Sequence, residues 1–76
     1  MEPTHKLDVL GHYCPVPVSQ ARKALADLAG GDILLVVADD PETVHDMPLL
    51  VDRLGHLLVD IVKSAGEFRF IIEVSE

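Results

Sequence analysis

Residues 5–18 read His5-Lys6-Leu7-Asp8-Val9-Leu10-Gly11-His12-Tyr13-Cys14-Pro15-Val16-Pro17-Val18, and the hydrophobic period changes within this stretch. Up to Leu10, the apolar residues Leu7 and Val9 alternate with Lys6 and Asp8, the two-residue period of a half-buried strand. Gly11 breaks that alternation. From Pro15 to Leu28 the apolar positions Val18, Ala21, Ala24, Leu25 and Leu28 recur at helical spacing, Gln20, Arg22, Lys23 and Asp27 take the opposite face, and Gly30-Gly31 offers a left-handed stop. The reading is strand, short loop, helix.

Ile33 to Ala38 is a continuous apolar run bounded by Asp32 and by Asp39-Asp40-Pro41, which fits a central strand. Residues 40–47 are rich in turn formers, and a proline is excluded from a helix interior, so Pro48 places the start of a second helix near Asp46 or Met47. Asp46 is then its N-cap, Gly55 its end, and Leu49, Leu50 and Leu54 its buried face. Leu57 to Lys63 and Glu67 to Val74 read as two strands joined by the hairpin connection Ser64-Ala65-Gly66, with Phe68, Phe70, Ile72 and Val74 pointing inward. The order is βαβαββ. It predicts an α+β two-layer sandwich, a four-stranded mixed sheet with two helices on one face.

The 76 residues suffice for one small domain, expected to span residues 1–76. A hydrophobic fraction of 49% argues against a disordered chain, and no apolar run is long enough to cross a bilayer. Thirteen acidic and six basic residues give a formal charge of −7, which lacks the positive field that a nucleic acid or an anionic membrane would require. Direct nucleic-acid and membrane binding are therefore disfavoured. One cysteine excludes an internal disulfide, and no signal-peptide pattern opens the sequence, so a reducing cytoplasm is expected.

Two prolines within four residues are tolerated by a helix only in its first turn, where backbone N–H groups have no intrahelical partner. On that basis Pro15 is expected at N1, Pro17 at N3 and Cys14 at the N-cap. The thiol is then placed beside the free N–H of Val16 and the positive end of the helix dipole, with its pKa moderately lowered. A core thiol needs no pair of prolines directly after it. A rigid, partly exposed sulfur does.

The sequence resembles the TusA/SirA sulfur-carrier family, small βαβαββ domains with a Cys-Pro-x-Pro signature. The resemblance runs through Leu7-Asp8, Gly11, Cys14-Pro15-Val16-Pro17, Arg22-Lys23, Gly31-Asp32, Asp39-Asp40-Pro41, Asp46-Met47-Pro48 and Phe68-Arg69-Phe70. It implies that Cys14 accepts a persulfide sulfur from a cysteine desulfurase or rhodanese-like donor and passes it to an acceptor protein. Such relays serve tRNA 2-thiouridine formation, molybdenum-cofactor synthesis or sulfur oxidation. The neighbourhood of Arg22 and Lys23 is implied in partner docking. No cofactor is expected, and the protein is expected to be a monomer. Sulfur transfer by thiolate attack fits the composition, because a lone cysteine leaves no second thiol to resolve the persulfide. No large pocket is expected beside Cys14. The alternative is a regulatory or adaptor module of the same fold that binds a protein without moving sulfur.

His12 lies two residues from Cys14, but no orienting third group stands at a recognisable spacing, and His5, His45 and His56 are too scattered for a zinc site. No metal is expected. Asp8 is a candidate acceptor for the backbone N–H groups of the Gly11 to Cys14 loop. The Asp39, Asp40 and Glu42 cluster reads as turn chemistry on a solvated face.

Overall fold

The computed structural model describes residues 2–75. Its elements are β1 (His5–Asp8), α1 (Val16–Ala26), β2 (Ile33–Ala38), α2 (Thr43–Arg53), β3 (Leu57–Ser64) and β4 (Glu67–Glu73). The four strands form one sheet in the order β1-β2-β4-β3, with β1 parallel to β2 and the other two pairings antiparallel. The expected mixed sheet is present.

Alternation along the strands decides which side is covered. Leu34, Val36 and Ala38 of β2 and Phe70 and Ile72 of β4 share one face, and they pack in a single cluster with Ala21 and Leu25 of α1 and Met47, Leu50 and Val51 of α2. Both helices therefore lie on that face. Phe70 sits at the centre, fully buried, paired with Val36 on one side and Ile61 on the other.

Helix α2 departs from the sequence reading in its start and in its phase. It begins at Thr43, three residues before Asp46, and carries Pro48 inside it. The reason is the turn at Asp40. Its Oδ1 accepts the Glu42 N–H at 3.1 Å, and its carbonyl accepts both the Thr43 N–H at 3.0 Å and the buried Thr43 hydroxyl at 2.6 Å. Those bonds start the helix early. Pro48 cannot donate to Val44, and an interior proline costs about 3 kcal/mol, offset here by the apolar face the longer helix buries. That face comprises Thr43, Met47, Leu50 and Val51, which recur at steps of three and four. Leu49 falls outside it and is 63% exposed, contrary to its expected burial, and Leu54 is half-buried. The helix ends as expected at Gly55, whose φ is +80°. Bonds from Gly55 N–H to the Asp52 carbonyl and from His56 N–H to the Val51 carbonyl form a Schellman motif.

Helix α1 stops at Ala26, before Gly30-Gly31, so those glycines do not cap it. Gly31, at φ +92°, turns the chain into β2, and its N–H donates to the Val74 carbonyl. The β3–β4 hairpin has a two-residue loop, Ala65-Gly66, with both φ angles positive, and Ser64 pairs with Glu67 across it. The β3 register shifts between Leu58 and Asp60, so Val59 is an extra residue on this edge strand.

Truncating Phe70 to Ala should lower stability by about 3–5 kcal/mol in urea unfolding, whereas Leu49→Ala should change it by no more than about 0.5 kcal/mol. Equal costs for the two would contradict the phase of α2.

Candidate functional site

Parallel strands finish at the same edge of a sheet, so the loop after β1 and the loop after β2 meet. The first carries Cys14. The second carries Asp39, Asp40 and Glu42. Strand pairing continues past β1 through the Val9 N–H, which donates to the Val37 carbonyl, and His12 N–H then closes a turn on Val9. Gly11, at φ +79°, makes that turn possible, because a side chain rarely adopts this backbone conformation.

The carboxylates of the second loop brace the first. Asp39 accepts the Gly11 N–H at 3.0 Å, and Asp40, only 7% exposed, accepts the Cys14 N–H through Oδ2 at 2.7 Å. Asp8 does not do this work. Its carboxylate lies on the exposed side and accepts the Leu10 N–H at 2.9 Å, one residue short of the loop. The Asp39-Asp40 pair therefore has a structural task besides its turn chemistry, and Asp40 is not on a solvated face.

Cys14 lies one residue further from the helix than the prolines alone imply. The N-cap is Pro15, whose carbonyl receives the first helical bond from Ser19 N–H at 2.9 Å, and Pro17 occupies the second helical position. The Cys14–Pro15 peptide is cis. Both prolines still fall where a missing N–H costs little, and Pro17 is buried while Pro15 and Val16 are exposed. The expected thiolate donor is absent from its post, because the Val16 N–H is turned back to the Tyr13 carbonyl at 2.9 Å.

The sulfur instead meets a carboxylate. Cys14 Sγ donates to Asp46 Oδ2 at 3.3 Å across from the first turn of α2. That hydrogen bond is the largest cause holding the Cys14 pKa above its ordinary value. Desolvation and the negative charges of Asp46, Asp40 and Glu42 push it the same way. The lowered pKa expected from the helix dipole is thus reversed: negative charge around a thiol disfavours thiolate. At neutral pH the group is a thiol. Asp46 is also not the N-cap of α2; Glu42 takes that position.

Cys14 is exposed, and so are the apolar residues Leu10, Tyr13 and Val16 on the same loop and helix start. Beside it, a trough runs between the helices, formed by two adjoining grooves of about 220 and 240 Å³ that share Val18, Leu50 and Arg53. Pro15, Ser19 and Arg22 line one groove, and Asp46 and Leu49 the other. Lys23 is exposed on α1 but lies outside this lining. The trough is partly open at the surface. His12 makes no hydrogen bond to the sulfur. Among the described residues, no three His, Cys, Asp or Glu side chains stand together to hold a metal. No described helix is long and apolar enough to cross a membrane.

Asp40, Asp46, Tyr13 and Arg53 were not singled out as site residues by the sequence. The available signal for Asp40 was a parallel βαβ unit whose second strand ends in Asp-Asp-Pro, which brings a turn-forming carboxylate to the Cys14 loop. Asp40→Ala should cost about 1–3 kcal/mol in urea unfolding, because it strands the Cys14 N–H. Asp39→Ala, removing a bond at an exposed site, should cost less; the reverse order would show that Asp40 does not brace the loop.

The family model of sulfurtransferase TusA matches residues 5–74. A "Putative sulfur carrier protein" of Archaeoglobus fulgidus is 41% identical over 70 residues, covering 91% of each chain. The crystal structure of a SirA-like protein from Desulfitobacterium hafniense superposes with a TM-score of 0.83 at 28% identity, covering 95% of this chain and 99% of that one.

Proposed function

The chain belongs to the sulfurtransferase TusA family, and on that footing we propose that it carries sulfane sulfur as a persulfide on Cys14. The observation that supports this most directly is an exposed, lone thiol held in a braced loop. A carrier must bring its sulfur into another protein's active site, and a thiol on an open surface can be brought there.

The transfer balances without an external oxidant. Cys14 Sγ attacks the terminal sulfur of a donor persulfide, a new sulfur–sulfur bond forms at Cys14, and the donor's sulfur–sulfur bond breaks. The donor cysteine leaves as thiolate and takes up the proton that Cys14 gives. Handing on repeats the step with Cys14 as the leaving group. Pro15 and Pro17 stiffen the start of α1, Gly11 shapes the loop, and Asp40 fixes the backbone from which the sulfur projects. Val16 contributes exposed apolar surface in place of the N–H contact expected of it. Asp8 steadies the end of β1 through Leu10.

The donor is a cysteine desulfurase or rhodanese-like protein and the acceptor a downstream protein of tRNA 2-thiouridine formation, molybdenum-cofactor synthesis or sulfur oxidation. Exposed apolar residues around the thiol, with Arg22 at the trough, favour protein docking; Lys23 adds positive charge farther along the same helix. One domain, acting as a monomer in the cytoplasm, suffices for this.

Incubation with a cysteine desulfurase, pyridoxal phosphate and cysteine should add one sulfur atom to the intact mass of the wild type and none to Cys14→Ser. An unloaded wild type, still bound by its partner irrespective of Cys14, would favour an adaptor.

A further inference from the structure

We infer that Asp46 is a latch that distinguishes the empty carrier from the loaded one: its carboxylate accepts the hydrogen of the Cys14 thiol and repels the persulfide that replaces it. The inference rests on the carrier reading above. Asp46 is held in place by its own N–H bond to the Glu42 carbonyl at 3.0 Å, is half-buried, and directs Oδ2 at Sγ from 3.3 Å.

Loading removes the donor from this contact. In the thiol, Sγ carries the hydrogen that Asp46 accepts. In the persulfide, Sγ is bonded to Cβ and to the sulfane sulfur and has no hydrogen left to give. The remaining hydrogen is on the terminal sulfur, and a persulfide is a stronger acid than its parent thiol, so negative charge arrives where Asp46 already stands. Asp40 and Glu42 face the same sulfur from the loop before α2, and their charges add to the repulsion.

The other ionisable groups around the site do not reverse this field. His12 and Tyr13 lie on the thiol's own loop, Asp39 on the facing loop, Arg22 and Lys23 on α1, and His45 and Arg53 on α2. The groups that act on the sulfur itself are carboxylates. The empty thiol is therefore held against α2 and kept protonated, which slows its reaction with stray electrophiles. The loaded sulfur is pushed off α2 and outward. Asp46 is a positioning residue in this scheme and touches no sulfur in transit.

The test reads the empty state first, by iodoacetamide alkylation of the unloaded protein against pH, which needs no sulfur donor. The alkylation midpoint should move to lower pH in Asp46→Asn, with several-fold faster reaction at neutral pH. Glu42→Gln, which removes charge without a hydrogen bond, should move it less. An unmoved midpoint in Asp46→Asn, or an equal movement in Glu42→Gln, overturns the latch even if the protein loads sulfur normally. The loaded state needs no substitution: wild type is treated with inorganic polysulfide, gain of one sulfur is verified by mass, and its amide NMR spectrum is compared with that of the thiol form. Signals of residues 43–47 should shift on loading; if they stay in place, Asp46 does not sense the sulfur.

Discussion

One buried carboxylate holds the arrangement together. Asp40 closes the end of β2, accepts the Glu42 N–H that starts α2, and accepts the Cys14 N–H of the opposite loop. A buried acceptor with two backbone donors ties three chain segments at one point, and each bond is worth more there than in water. The parallel pairing of β1 and β2 makes this possible by bringing both loops to one edge. The thiol's position is thus determined by the sheet and only secondarily by helix α1.

The electrostatics of the site follow from the same brace. A loop pinned by carboxylates stands in a negative field, which holds the pKa of the thiol at its tip above its ordinary value. Many reactive cysteines are activated by a nearby cation or a free helix amide; here the Val16 N–H is bonded to Tyr13 and the charges that act on the sulfur are carboxylates. For a group carried in the open between partners, low resting reactivity is compatible with its task, provided that the partner's surface supplies the activation. Cationic groups placed against Asp46, Asp40 and Glu42 would do so by neutralising the charges that hold the proton.

Much of this was legible in the order of residues. The two-residue period at Leu7 and Val9, the apolar run at Ile33 to Ala38 and the alternation of Phe68, Phe70, Ile72 and Val74 determine the sheet, because one side of each strand must meet the helices. Gly55 and Ala65-Gly66 marked their turns because positive φ angles are needed there. The start of α2 was not legible: Pro48 argues for a start at Asp46 or Met47, while the local turn bonds to Asp40 begin the helix at Thr43, three to four residues earlier. Leu49 was assigned to the buried face beside Leu50, but the face that meets the sheet runs through Met47, Leu50 and Val51, which turns Leu49 outward. The tetrad located the reactive residue but not its chemistry. Whether the Val16 N–H faces Sγ or turns back to Tyr13 depends on backbone geometry that two prolines do not decide, and the Asp46 contact joins residues 32 positions apart.

The extra residue on β3 bears on the protein's behaviour in crowded solution. An eight-residue strand at a sheet margin, bearing Leu57, Val59 and Val62 at the surface, would ordinarily be a template onto which another molecule could add and begin a fibril. The irregularity at Val59 disturbs the row of amides and carbonyls that an incoming strand would have to match, and Asp60 and Lys63 place charges along the same rim. The same rim is thereby a poorer template for an added strand than its length and apolar residues alone would make it.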